Sequence, residues 1–535
     1  VKLMRNRRAV LLVLILLVAG AACAGRTPTG GPTAGAAPAP APTPAPPPTA
    51  NTGAATITPT MPPKAAPTAL DSVRGLIDSL IALPAFRNAH WGVLVVDADS
   101  GRTLYSHNAD KLFMPASNMK IVTGAVALSL LGPEFRFRTT LVATGPLTGG
   151  TLQGDLIVHG RGDPTVSDSM QASALDPLRG IADSLAARGV RRITGRILPG
   201  DDVFPGSVYG AGWSVDDLSE TYGAGVDELF FNEGFGTLHI RGGRVAGAPV
   251  TVTTTPARGY PKLRVTATSG APPIAGGGAT RDTALHVTID SATGRMLVSG
   301  RAPALTSTDR DVVFPDQRAA YLQALREALE SRGIVIGGAT LSPRRASYDT
   351  LVVYRSAPLR DVIRRMEKPS QNQIAEILLH TIAVERTGNG SADSGLAVVT
   401  RMLLTWGADS DGFVLQDGSG LSRYNYLSPT TLVRTLLAIR RDTAFETFYQ
   451  SLPIAGVDGT ISDRMRNTPA AGNVHAKTGF IANARSLSGY VTTADGHLLV
   501  FSALCNNWTA PRPVVEMVQD SIASRLAALD LSRAH

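Results

Sequence analysis

Three short strings in this sequence carry residue types that could do acyl-transfer chemistry: Ser117-Asn-Met-Lys120, Ser370-Gln-Asn372 and Lys477-Thr-Gly479, in that order. Together they supply a hydroxyl nucleophile, an amine to act as its base, a second hydroxyl to relay a proton, and a cation to anchor a carboxylate. Lysine usage sharpens the reading. The lysines are Lys2, Lys64, Lys111, Lys120, Lys262, Lys368 and Lys477, in a chain whose remaining cationic side chains are arginines. Arginine stays protonated in proteins, whereas a buried lysine can lose its proton and serve as a base. Lys120 alone has a serine three residues before it, and Lys477 alone is followed by Thr-Gly. Each string is weak by itself. Ser106-His-Asn108 also satisfies the Ser-x-Asn pattern, and reads as turn chemistry in a hairpin.

The elements around the strings must position them. Apolar periodicity predicts a helix over residues 69–80, and residues 91–105 alternate around Asp99-Ser-Gly101 as a β-hairpin. Ser117 then opens a helix running to Leu131 and ended by Gly132. That start places the hydroxyl at the positive end of the helix dipole, with Lys120 one turn away on the same face. Residues 135–351 read as short strands between Gly- and Pro-rich turns, with helical stretches near 178–188 and 319–332. Helices return at 359–367 and 373–384, where Ser370 could serve as an N-cap. Lys477 starts a β region that continues through 486–493 and 498–505, before a last helix over 514–526. A sheet drawing strands from both chain ends is expected, split by a large insertion. The domain reading is 69–134 with 352–535 as one catalytic domain and 135–351 as inserted.

With 535 residues, 44% hydrophobic and 18% charged, the chain has enough material for two or three domains. The net charge of +8 comes without a basic run interleaved with aromatics, which argues against a nucleic-acid partner. Residues 1–24 combine Lys2, Arg5, Arg7 and Arg8 with an apolar stretch over 9–19 and small residues leading to Cys23. This is an export signal. Leu17-Val-Ala-Gly-Ala-Ala-Cys23 resembles a bacterial lipobox, with Gly20 departing from the usual aliphatic residue; it makes Cys23 the lipidation candidate of a membrane-anchored periplasmic lipoprotein, with simple cleavage near Ala24 by the ordinary signal peptidase as the alternative. Residues 25–68 are almost entirely Ala, Pro, Thr and Gly, and read as an extended tether. The second cysteine, Cys505, lies in an apolar run and reads as a core side chain. The nine histidines show no ligand spacing, so neither a metal nor any other cofactor is expected.

Further strings make the pattern specific. They are Phe113-Met-Pro-Ala-Ser-Asn-Met-Lys120, Gly154-Asp-Leu with Gly160-Arg-Gly-Asp-Pro164, Trp213 with Tyr222-Gly-Ala224 and Phe231-Asn-Glu233, Asp417-Gly-Ser-Gly-Leu-Ser-Arg423 and Leu487-Ser-Gly-Tyr-Val491. With the three motifs they resemble the D-alanyl-D-alanine carboxypeptidase/endopeptidase family, peptidase family S13, of the penicillin-binding protein 4 type. Gln371, where that family usually has Asp, is a departure at a position not expected to do chemistry. The resemblance implies an α/β (α+β) chain with the serine β-lactamase/transpeptidase-like fold, interrupted by a large mostly-β insertion. It implies a hydrolase in which Ser117 attacks a D-Ala carbonyl, Lys120 is the base, and Ser370, held by Asn372, relays the proton. Lys477 and Thr478 would bind the substrate's carboxylate in the Lys-Thr-Gly479 strand, and the N–H groups of Ser117 and Phe480 would form the oxyanion hole. The implied partners are peptidoglycan stem peptides and cross-links, with β-lactams as inhibitors. Two rivals stand beside it: a serine β-lactamase and a catalytically silent peptidoglycan-binding lipoprotein.

Overall fold

Thr68 begins the described structure by capping a helix. Its hydroxyl accepts from Asp71 N–H at 3.1 Å, and Asp71 accepts in return from Thr68 N–H at 3.3 Å. The computed structural model describes residues 68–272, 284–290, 293–338 and 349–533; the predicted signal, Cys23 and nearly all of the tether lie outside them. The capped helix α1 (Ala69–Ile81) buries Leu70, Val73 and Ile77, the spacing its periodicity predicts.

The central sheet has five antiparallel strands in the order Thr103–His107, His90–Asp97, Leu498–Asn506, Ala484–Thr492 and His475–Ile481. Strands from both chain ends therefore lie side by side. Successive side chains of a strand point to opposite faces, and here both faces are covered. Val93 and Val95 join the cluster that α1 and α10 (Arg512–Ala527) pack against, while Leu94 and Val96 join the cluster around the helices Met119–Leu131 and Pro429–Arg440. The strands consequently read as continuous apolar runs. Cys505 belongs to the first cluster and is a buried free thiol, which burial pushes up from its ordinary pKa.

Helix α2 (Met119–Leu131) runs through the second cluster, and every residue from Met119 to Leu128 is buried. A helix apolar all round is what a central position demands. Around it stand α5 (Leu359–Glu367), α6 (Asn372–Thr387), α7 (Ala392–Thr405), α8 (Pro429–Arg440) and α9 (Phe445–Ser451). Sequence periodicity missed α7, α8 and α9.

Between α2 and α5 the chain builds mostly strands. Arg136–Ala143 and Asp349–Pro358 pair antiparallel, so this segment leaves and re-enters at one place. Their sheet adds Leu156–His159 and Ile197–Pro199; a second joins Thr251–Thr255, Phe235–Arg241 and Ser307–Val313; a third is built on Arg295–Pro303. Two helices, α3 (Asp176–Ala187) and α4 (Gln317–Ser331), pack on one another within this segment's own core. Among the described residues no helix is long and apolar enough to cross a membrane.

Candidate active site

Ser117 sits in a 3₁₀ turn, Ala116–Asn118, that continues directly into α2. The regular helix thus starts two residues later than the sequence suggests. Ala116 holds φ at 48°, a conformation rare for a side chain with a Cβ and often found where geometry serves function. Two contacts lock this turn against the sheet's edge strand, His475–Ile481, and its neighbour. Asn118 Nδ2 donates to Lys477 O at 2.8 Å, and Ser486 Oγ donates to Pro115 O at 2.7 Å. Gly479 makes the approach possible: a Cβ there would lie 2.1 Å from Ser486 Oγ, 2.6 Å from Pro115 O and 2.9 Å from Ser117 N.

Lys120 is fully buried, and its Nζ has three partners: Asn372 Oδ1 at 2.6 Å, Ser419 O at 2.7 Å and Ser117 Oγ at 3.0 Å. This count has a chemical meaning. A neutral amine has two N–H groups, and the two obligate acceptors, Asn372 Oδ1 and Ser419 O, take them. The remaining lone pair is left for the Ser117 hydroxyl proton. Burial lowers the Lys120 pKa to about 8, against the raising influence of Glu367, Asp417 and Glu376.

Both acceptors are themselves held. Asn372 Nδ2 donates to Tyr222 O at 2.9 Å, which ties the start of α6 to the Thr221–Gly223 turn. Ser419 lies in the Asp417-Gly-Ser-Gly loop, where Glu376 accepts from Gly418 N–H at 3.0 Å and Ser419 N–H at 2.8 Å. Asp417 accepts from Gly420 N–H and Ser422 N–H, each at 2.7 Å, and from Trp213 Nε1 at 2.9 Å. Gly420, at φ 83°, passes so close to Ala116 that a Cβ would lie 1.8 Å from the Ala116 carbonyl oxygen.

Lys477, also fully buried, donates to Ser370 Oγ at 2.8 Å and to Thr478 O at 3.1 Å. Burial depresses its pKa, with Lys120 and Arg485 adding to the effect and Glu367 opposing it. Ser370 adopts φ 69° and is not the cap of α6. Gln371 is the cap, its Oε1 accepting from Ile374 N–H at 2.9 Å. The residue set aside as chemically silent therefore shapes the turn that presents Ser370. A second difference concerns Asn372, whose side chain holds Lys120 and Tyr222 where the resemblance has it hold Ser370. Thr478 Oγ1 shares a 2.7 Å hydrogen bond with Thr460 Oγ1. Phe480 is 47% exposed, with the Arg485 and Arg512 guanidinium carbons 5.6 and 4.9 Å from its ring centroid.

The structure thus gathers Ser117, Lys120, Ser370, Asn372, Lys477, Thr478, Gly479 and Phe480 at the junction of α2, α6 and the edge strand. Ser106 and Asn108 stay in the hairpin, where Asn108 takes φ 49° and donates to Trp91 O at 2.9 Å. Sequence reasoning gave no role to Glu367, Glu376, Ser419, Tyr222 or Thr460. Tyr222 and Ser419 lie in strings that carry the family resemblance, and Glu376 stands four residues after Asn372 on the same helix face.

A sequence profile of the D-Ala-D-Ala carboxypeptidase 3 (S13) family matches residues 73–529. The chain belongs to this family. Among its relatives is a D-alanyl-D-alanine carboxypeptidase of Actinomadura sp. (strain R39), 36% identical over 474 residues that cover 86% of this chain and 85% of that protein. The crystal structure of penicillin binding protein 4 (dacB) from Haemophilus influenzae superposes with a TM-score of 0.69 at 24% identity, over 83% of this chain and 98% of that one. The same Haemophilus protein complexed with a novel β-lactam superposes at 0.66 and 23% identity, with the same coverage. This S13 chain therefore has the penicillin-binding protein 4 fold, a mixed α/β architecture.

Proposed function

We propose that the protein is a serine D-alanyl-D-alanine carboxypeptidase that trims peptidoglycan stem peptides through an acyl-enzyme on Ser117. The observation that carries this is the bonding of Lys120, whose Nζ meets Asn372 Oδ1, Ser419 O and Ser117 Oγ, so that the neutral amine can give its two protons to the first two and its lone pair to Ser117. Ser117 Oγ attacks the carbonyl of the D-Ala–D-Ala bond as its proton passes to Lys120. The N–H groups of Ser117 and Phe480 receive the developing oxyanion. As the C–N bond breaks, Ser370 relays to the departing amine the proton that Lys120 took, so Lys120 is neutral again while Lys477, 2.8 Å from Ser370 Oγ, keeps its charge. Water then attacks the ester, giving up a proton to the neutral Lys120, which passes it to Ser117 Oγ as the acyl C–O bond breaks. Lys477 and the Thr478 hydroxyl hold the terminal carboxylate. Gly479 provides the clearance between that strand and the nucleophile. A β-lactam follows the same path, but its leaving amine stays tethered in the acyl group. An endopeptidase activity on cross-links uses the same chemistry, with the amine belonging to a second stem peptide.

The N-terminal residues fit an exported enzyme. In this reading residues 1–24 direct export, Cys23 carries the lipid anchor, and residues 25–68 hold the catalytic domain (69–134 and 352–535) off a membrane within the periplasm. The inserted region, 135–351, reaches the site through Tyr222. Cys23→Ala should release the full-length protein from membranes; a variant that stays bound would contradict the anchor.

Release of D-alanine from a D-Ala-D-Ala pentapeptide, blocked by prior exposure to penicillin, tests the activity itself. Rapid penicillin turnover without D-alanine release would make the protein a β-lactamase. No reaction with either would make it a binding protein.

A further inference from the structure

Glu367 ends α5 three residues before Ser370, and nothing in the motifs calls for an acid there. Its side chain is fully buried, and neither carboxylate oxygen has a hydrogen-bond partner. A buried carboxylate ordinarily collects donors, as Glu376 does from two backbone N–H groups. Glu367 is instead housed against Gly124, where a Cβ would lie 2.9 Å from its Oε1. Gly124 follows Lys120 by one turn on the same face of α2.

The charges that face this carboxylate are Lys120, from α2, and Lys477, from the edge strand. Burial pushes the Glu367 pKa up, and these two lysines oppose that push. Among the described residues no other cation acts on it. Ile363 and Met366 of α5 line the same niche, and Phe448 of α9, with Ala444 and Leu452 at its two ends, belongs to the shared core. Lys368, next along the chain, turns away to Leu452 O at 2.6 Å and Asp458 at 2.8 Å. Glu376 of α6 and Asp417 of the neighbouring loop act on Lys120, and Arg485 of the adjacent strand acts on Lys477.

We propose that Glu367 is a positioning residue for the reaction: a buried counter-charge shared by the two active-site lysines. The proposal rests on the acyl-transfer reading given above. The role follows from the charge changes in each cycle. Lys120 becomes an ammonium ion when it takes the Ser117 proton, in a place where water cannot solvate it. A carboxylate facing both amines offsets that new charge and also favours the protonated Lys477 that must hold the substrate's carboxylate. It does so without a direct hydrogen bond to either amine, so the lone pair of Lys120 stays free for Ser117.

The sign of the test is fixed. A negative charge raises the pKa of every amine it faces, so its removal lowers both lysines together. The pH profile of Ser117 acylation by penicillin should therefore move to lower pH on both limbs in Glu367→Gln, by about one unit. Glu367→Asp, which restores the charge, should return the limbs towards their wild-type positions. Gly124→Ala, which crowds Oε1, should shift the profile in the same direction as Glu367→Gln and serves as the test if the glutamine variant does not fold. A merely structural role would change thermal stability or the height of the profile and leave its limbs in place; that result overturns the proposal. Absence of Ser117 acylation in the wild-type protein would instead sink the underlying reading, so the two failures are distinguishable.

Discussion

The floor of the active site and the outer face of the inserted region use the same kinds of charged side chain in opposite settings. On the inserted region Arg332 Nε donates to Asp183 at 2.5 Å and its Nη2 at 3.0 Å, yet the two side chains are 40% and 56% exposed. Water and salt screen such a pair, so it contributes little to stability. Under α2, by contrast, Lys120, Lys477 and Glu367 are wholly enclosed. There no solvent levels their basicities, and each is set by a few named neighbours. The difference teaches where to look for function: a charge removed from water and left incompletely paired has been given something to do.

Substitutions can sharpen that contrast, starting with the deepest charge. Lys120→Arg keeps the cation but cannot accept a proton, and its penicillin acylation rate should fall on the order of 10³-fold. An active Lys120→Arg would overturn the base assignment. Asn372→Ala removes the acceptor that aims Lys120 and should slow acylation by about 10²-fold through misplacement alone. On its acid limb, below the Lys120 pKa of about 8, the wild-type acylation rate should climb about tenfold per pH unit as the amine loses its proton; a flat profile from pH 6 to 8 would exclude an amine base. Lys477→Arg preserves the charge, so it should act mainly on KM for a D-Ala-D-Ala peptide, by about tenfold, with a smaller loss in kcat. At the other end, Arg332→Ala should leave acylation unchanged and move the unfolding temperature by no more than about 2 °C. A large loss there would mean that the exposed pairs do more than the exposure argument allows.

Residue types explain why part of the site was legible in the sequence. Ser117 and Lys120 share one helix face, and rare lysines stand out in an arginine-rich chain, so both are recognisable from residue type and spacing alone. Glu367 is not, because its meaning depends on Gly124, a residue far away in sequence that makes room for it. Ser419 contributes through its carbonyl oxygen, which every residue possesses, so its side-chain identity says nothing of the contact with Lys120. Among the helices, α7 escaped notice because Gly395 interrupts its pattern. A Cβ there would lie 2.5 Å from Leu379 O, so the glycine is required where α7 crosses α6. Helix α8 was masked by Thr430, Thr431 and Thr435, poor helix formers by propensity. Two of them are turned to use by burial: Thr431 Oγ1 donates to Gly412 O at 3.0 Å and Thr435 Oγ1 to Thr431 O at 2.9 Å. The strands were clear for the converse reason, since enclosure on both faces leaves an unbroken apolar run.

The central claim is that a buried amine activates Ser117 for covalent attack. Intact-mass analysis of the protein after brief exposure to penicillin, followed by peptide mapping, tests it most directly. One penicilloyl group per chain on the peptide containing Ser117, absent from a folded Ser117→Ala variant, is the predicted result. An adduct elsewhere, or a Ser117→Ala protein that still acquires the same mass, would contradict the account.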